Sequence, residues 1–111
     1  MTERAKKYLL DILQAIELIE SFSLEITDFY KYQKDFKTKS AVERQLGIVG
    51  EAVNKFRKIE QKVELTHAKQ IVDFRNRLIH SYDNVDDTII WVIIKRHLPT
   101  LRDEIQNLGI G

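Results

Sequence analysis

Residues 73–86 read Asp-Phe-Arg-Asn-Arg-Leu-Ile-His-Ser-Tyr-Asp-Asn-Val-Asp. Within that run Arg75, Asn76, Arg77, His80 and Tyr82 bring two guanidiniums, an amide, an imidazole and a phenol close together in the chain. These groups suit chemistry at a phosphodiester. Cutting an RNA backbone requires a base to take the proton of a 2′-hydroxyl and an acid to protonate the departing 5′-oxygen. It also requires stabilisation of the added negative charge on the phosphorane-like state between them. Histidine titrates near neutrality and can move both protons. Arginine presents a planar fork of donors to phosphate oxygens and stabilises charge as it grows. An asparagine amide can orient a phosphate or a ribose hydroxyl, and nothing in the scheme calls for a metal or cofactor.

Geometry constrains the arrangement. Asn76 and His80 are four residues apart and share one face of a helix. Arg75 precedes His80 by five residues, about 140° away around an ideal helix. Its long side chain must reach round, the helix must loosen before His80, or a second copy of the chain must complete the cleft. Tyr82, two residues past His80, would face away if the helix continued, so the helix is expected to unwind near Ser81. As bare spacing, the same residues also describe an ordinary helix end, where His⁺ and Arg complement the dipole with no catalysis implied.

The elements that hold this segment follow from periodicity. The 111 residues contain four glycines and one proline, too few breakers for a chain of many short strands. Ala5, Leu9, Ile12, Ile16 and Ile19 form one apolar face of a first helix over about 2–21, with Thr2 as its cap. A loop is expected over 21–27, and a short second helix, capped by Thr27 or Asp28, runs to about Asp35. Val42, Leu46, Val49, Val53 and Phe56 mark a long third helix over about 37–60. Gly47 and Gly50 each cost that helix about 1 kcal/mol against alanine, so another helix is expected to come close there.

Thr66 is read as the cap of a fourth helix ending near residue 80 or 82, with Ile71, Phe74, Leu78 and Ile79 on its apolar side. Residues 83–86 read as a turn, and Asp86 caps a last helix to about Leu108. Ile89 to Ile94 is apolar on every side and has the highest strand propensity in the chain. With no second strand to pair with, it is assigned to the helix, one face to the core and the other to a dimer interface. Pro99 should kink or end that helix near His97. The expected architecture is therefore all-α, a single domain over 1–111 built as an antiparallel bundle of four main helices plus a short one.

Composition excludes several classes. There is no cysteine, hence no disulfide, thiolate catalyst or Cys-type zinc site. The formal net charge is +1, so a polyanion must be recognised by a local arrangement of charge. No apolar run has the length of a membrane span, and a cytoplasmic location is the default expectation.

The run Arg75-Asn76-Arg77-Leu78-Ile79-His80-Ser81-Tyr82 resembles the Arg-Asn-x3-His-x-Tyr signature of the HepT-like branch of the HEPN ribonucleases. Val85-Asp86, the apolar run around Trp91, Leu98-Pro99-Thr100-Leu101 and the upstream Gly47-Ile48-Val49-Gly50-Glu51-Ala52 block are similar to that family in the same order, from about residue 5 to 108. The resemblance implies a helical bundle that forms a symmetric homodimer and cuts RNA without a metal at a shared cleft. It implies Arg75 and His80 as the catalytic pair, supported by Asn76, with Arg77 adding a phosphate contact. It further implies a toxin paired with an MntA-type nucleotidyltransferase antitoxin, which silences it by adenylylating Tyr82. The rival expectation is a non-catalytic helical subunit that binds substrate for, or regulates, a nucleotidyltransferase.

Three other features invite chemistry. His67, His80 and His97 show no metal-binding helical spacing, and His97 is assigned to the surface or an interface. Asp83, Asp86 and Asp87 could hold Mg²⁺ or tune His80, but turn formation and capping explain them better. Lys31, Lys34, Lys37 and Lys39 could track phosphates, although a solvated helix face is the simpler reading.

Overall fold

A computed structural model describes residues 1–80 and 85–109. The described residues are helical with no strand: α1 (Glu3–Ser23), α2 (Phe29–Lys34), α3 (Phe36–Ile59), α4 (Ala68–His80), α5 (Asp87–Val92) and α6 (Leu98–Asn107), with a π-helical turn Ile93–His97 joining the last two. Polar side chains start most of these helices by accepting free first-turn N–H groups. Thr2 Oγ1 accepts from Ala5, Asp28 from Lys31, Asp35 from Thr38 and Asp86 from Thr88. The backbone N–H and then the hydroxyl of Thr38 hold the Asp35 carboxyl below its ordinary pKa.

Contacts fix the helices as antiparallel neighbours. Lys55, late in α3, lies over the ring of Tyr8, early in α1. Arg102 of α6 pairs with Glu20 of α1, and Thr66, just before α4, bonds Glu104 of α6. The core lies where the expected stripes meet. Ala5, Leu9, Ile12, Ile16 and Ile19 of α1 are buried, as are Val42, Leu46, Val49, Val53 and Phe56 of α3. Ile90, Ile94, Leu98, Leu101 and Ile105 close the bundle from the C-terminal side.

Several expectations need correction. The first helix passes Ser21 and runs to Ser23, whose hydroxyl donates to the Ile19 carbonyl at 2.8 Å. Thr66 does not cap α4. Its N–H lies 3.0 and 3.1 Å from the two Glu104 carboxylate oxygens, and its hydroxyl donates to one of them at 2.7 Å. Of the apolar side assigned to α4, Ile71 and Phe74 are buried, Leu78 only partly, and Ile79 is exposed.

Pro99 does not end the last helix near His97, since helical residues continue through Asn107. A proline has no N–H to offer the carbonyl four residues back. The chain widens before it, so that the Leu98 N–H reaches the Ile93 carbonyl, and Pro99 falls in the first turn of α6, where its missing donor costs nothing. The apolar sequence takes the same path: Ile90, Ile94 and Leu98 follow at four-residue steps, longer than the 3.6 residues of an α-turn, and a wider turn keeps all three in the core.

Trp91 illustrates how the all-round apolar segment is covered. Its ring packs against Tyr32 and Phe29 at 5.7 and 6.2 Å, while Val92 stays exposed. Tyr32 is fully buried and its hydroxyl has no partner among the described residues. Burial, followed by the charges of Glu43 and Asp87, holds that phenol far above its ordinary pKa.

Candidate active site

The residues singled out in the sequence lie on α4, the helix that packs along α3. The close approach between them occurs at Gly50. A Cβ built there would lie 2.3 Å from Arg75 Cβ, 2.7 Å from Arg75 Cγ and 3.3 Å from the Ile71 carbonyl oxygen. No other residue has room in that space, and the stem of Arg75 occupies it. Gly47 meets nothing within 4 Å, so the close contact expected at both glycines exists at one.

With its stem seated on α3, Arg75 is half-buried, whereas Asn76, Arg77 and His80 are exposed. The α-helix continues without loosening through His80, which removes one of the three ways Arg75 could join His80. The Arg75 Nη1 donates to Asn76 Oδ1 at 3.2 Å, and Asn76 is on the face that carries His80. Asn76 and the last-turn His80 thus share one side of α4, both exposed. Ser81 and Tyr82, with Asp83 and Asn84, lie outside the described residues.

The field around Arg75 extends to α3, where the Glu51 carboxylate 3.0 Å away holds Lys55 above its usual pKa and the Arg75 guanidinium opposes that shift. Among the described residues, the acidic residues after the motif, Asp86 and Asp87, have structural partners. Asp86 caps α5, and Asp87 pairs with Lys39 at 2.8 Å, both side chains mostly buried. That pair breaks up the basic strip expected over 31–39, in which Lys31 also faces Asp28 at 3.9 Å. Glu43, beside this pair, titrates above its usual value through burial and then the Asp87 charge, with Lys39 opposing.

Sequence spacing missed one feature. His67 and His97 stack at 4.0 Å between ring centroids, 14° from parallel. His67 holds a left-handed backbone, φ 68°. No spacing rule links residues 30 apart on different elements, and the positive φ of a histidine had no sequence signal. Among the described residues, no three histidines or carboxylates converge as a metal site.

An exposed histidine, an arginine and an amide thus stand on one helix of a small all-α bundle. The family model described as "Ribonuclease HepT-like" matches residues 12–108, and the chain belongs to that family. It is 37% identical to the "Probable ribonuclease HepT" of Thermococcus cleftensis over 97% of this chain and 98% of that protein. It is 32% identical to a "Putative RNase" of Methanocaldococcus jannaschii over 93% of this chain and 89% of that one. A "Putative RNase" of Caldanaerobacter subterraneus is 34% identical over 93% and 92%. No solved structure matches. The chain is an endoribonuclease of the HEPN type, with RNA as its substrate. No described helix is long and apolar enough to cross a membrane.

Proposed function

We propose that this ribonuclease cuts RNA with Arg75 and His80, without a metal, in a cleft shared by two copies of the chain. The observation that carries the reading is the bond from the Arg75 guanidinium to Asn76. It ties a fixed positive charge to the residue one helical turn before the only imidazole in the motif. His80 takes the proton of the 2′-hydroxyl as that oxygen bonds to phosphorus. The 5′-oxygen departs with a proton returned by an imidazolium, leaving a cyclic phosphate on one fragment and a 5′-hydroxyl on the other. Arg75 stabilises the doubly charged state between them, with Asn76 holding the guanidinium and Arg77 contacting a flanking phosphate. A shared cleft supplies two such faces. The exposed Ile79, within the motif, and Val92, which shares an apolar hollow with Gln70 of α4, give apolar surface for a second copy to cover.

The same reading makes the protein a toxin with a nucleotidyltransferase antitoxin of the MntA type. Transfer of AMP to Tyr82 would place a bulky phosphodiester and a negative charge beside the cleft, repelling RNA. The support is the family together with Tyr82 two residues beyond His80 in sequence.

The test is cleavage of a cellular RNA pool in EDTA. Wild type should cut, and His80→Ala and Arg75→Ala should each lose about 10²- to 10⁴-fold, the range of an acid–base group. Equal cutting by all three would overturn the assignment. Tight binding to a nucleotidyltransferase without RNA cleavage would favour the non-catalytic subunit.

A further inference from the structure

A cavity of about 570 Å³ lies at the other end of α4, where α3 turns into it. Arg57 and Lys58 from the end of α3 and Lys69 from the start of α4 line it, over a partly apolar floor that includes Val63 and Leu65. One carboxylate, Glu64, accompanies these three cations, in a chain whose overall charge is only +1. Among the described residues none of the three cations is in an ion pair; the pairs found involve other residues. Arg57 and Lys58 suit the negative end of the α3 dipole. Lys69 has no such explanation. It stands in the first turn of α4, where a cation is disfavoured, and that turn has no acidic residue to offset it.

The direction of α4 connects this cavity to the motif. Lys69 and Asn76 are seven residues apart, within about 20° of each other around the helix, and His80 falls on the same face. Lys69 is about 10 Å from Asn76 and about 16 Å from His80 along the axis. A single strand whose scissile phosphate lies at His80 and which follows this face therefore arrives over the cavity. Cations there can take backbone phosphates, while the apolar floor receives the face of a base or ribose.

We infer that the cavity lined by Arg57, Lys58 and Lys69 is a distal RNA subsite, holding a stretch of the same strand away from the bond that is cut. The inference rests on the proposed placement of cleavage on α4, and it makes the enzyme favour long single strands over short ones. Asp73 is the only acidic residue of α4 and lies on the same face between the cavity and Asn76, so the strand must pass it.

The test uses wild-type protein and 2′-O-methylated RNA, a dinucleotide and an octanucleotide, which lack the attacking hydroxyl and report binding whatever the catalytic residues are. Fluorescence anisotropy over a range of salt gives affinity and salt dependence. The octanucleotide should bind more tightly. The triple variant Arg57→Ala, Lys58→Ala, Lys69→Ala should lose most of that advantage, with the logarithmic salt slope falling by about two, near 0.7 for each phosphate released. Asp73→Asn should bind the octanucleotide more tightly than wild type. A control with the same charge loss on α1, Arg4→Ala, Lys6→Ala, Lys7→Ala, should keep the length advantage. Circular dichroism verifies folding, since the three cavity cations are exposed. No length advantage in wild type, an advantage retained by the triple variant, or an equal loss in the α1 control would each overturn the subsite. A His80→Ala protein that still cuts RNA would overturn the catalytic assignment while leaving these binding results to stand by themselves.

Discussion

The two ends of α4 are built differently. At its start, the chain is held from several directions: Leu65 is buried, Thr66 makes three hydrogen bonds to Glu104, and His67 stacks on His97. At its last turn, His80 is exposed, and among the described residues its imidazole engages in no hydrogen bond or ion pair. The midpoint between them is fixed by the Gly50–Arg75 contact. An element secured at one end and the middle can offer side chains at the other end without using them for folding. Among the described residues, the backbone N–H and hydroxyl of Thr66 at the anchored end are satisfied by protein while Lys69 stays outside any ion pair, and at the far end the His80 imidazole has no partner.

The strongest way to break this contrast is at the midpoint. Gly50→Ala puts a methyl group where Arg75 Cβ and Cγ already lie, so α4 must move away from α3. Overpacking of this kind costs about 1–3 kcal/mol, and displacing Arg75 should lower RNA cleavage as well. Gly47→Ala, facing open space in the same helix, should instead stabilise by about 0.5–1 kcal/mol. Urea titration of both variants measures the difference, and equal effects would show that the close approach is not what Gly50 provides.

A smaller effect is expected at the anchor. Glu104→Gln keeps the shape but removes the charge that accepts from Thr66. Hydrogen bonds to a charged group contribute about 1.5–3 kcal/mol, and solvent at this exposed site reduces the loss to about 1 kcal/mol. Thermal unfolding should register it, whereas His80→Ala should leave the melting temperature within error. A His80 variant that melts as early as the Glu104 variant would erase the distinction between the two ends.

The smallest effect is a pH dependence at the histidine stack. Burial first, then the neighbouring His67 and Arg96, holds His97 below the ordinary value of 6.5. On acidification the unfolded chain therefore takes up the proton before the folded one does. This contribution is fully present above about pH 6.5, is lost as pH falls through the lower folded value, and levels off below it. Melting temperatures from about pH 7 down to about pH 5 should fall less in His97→Gln than in wild type. Parallel curves would show that the stack is not a source of acid sensitivity.

Much of this construction was legible in the sequence. The apolar stripes of α1 and α3 predicted their burial because periodicity reports a helix face directly. Asp28 and Asp86 announced their caps because capping is local. The motif on α4 was found from side-chain types alone. What local rules did not contain was long-range: Thr66 looked like a cap because nothing in its neighbourhood points to Glu104. The two glycines looked equivalent because only the position of α4 distinguishes them. Pro99 signalled a disturbance without showing that a wider turn would absorb it. The spacing puts Arg75 about 140° from His80 around the helix, and its bond to Asn76 depends on a rotamer that sequence does not specify.

The seat of Arg75 on Gly50 also constrains how such a chain can change through descent. A lineage that gained any side chain at position 50 would first have to shift α4 or place glycine at 75, because the nearest atom there is the Cβ that every other residue carries. Trading the arginine for a merely smaller residue would leave that Cβ 2.3 Å from a methyl group at position 50. The two positions should therefore vary together among descendants. An alanine at 50 paired with a glycine at 75 would be the trace left by a copy that had kept the bundle and abandoned its arginine.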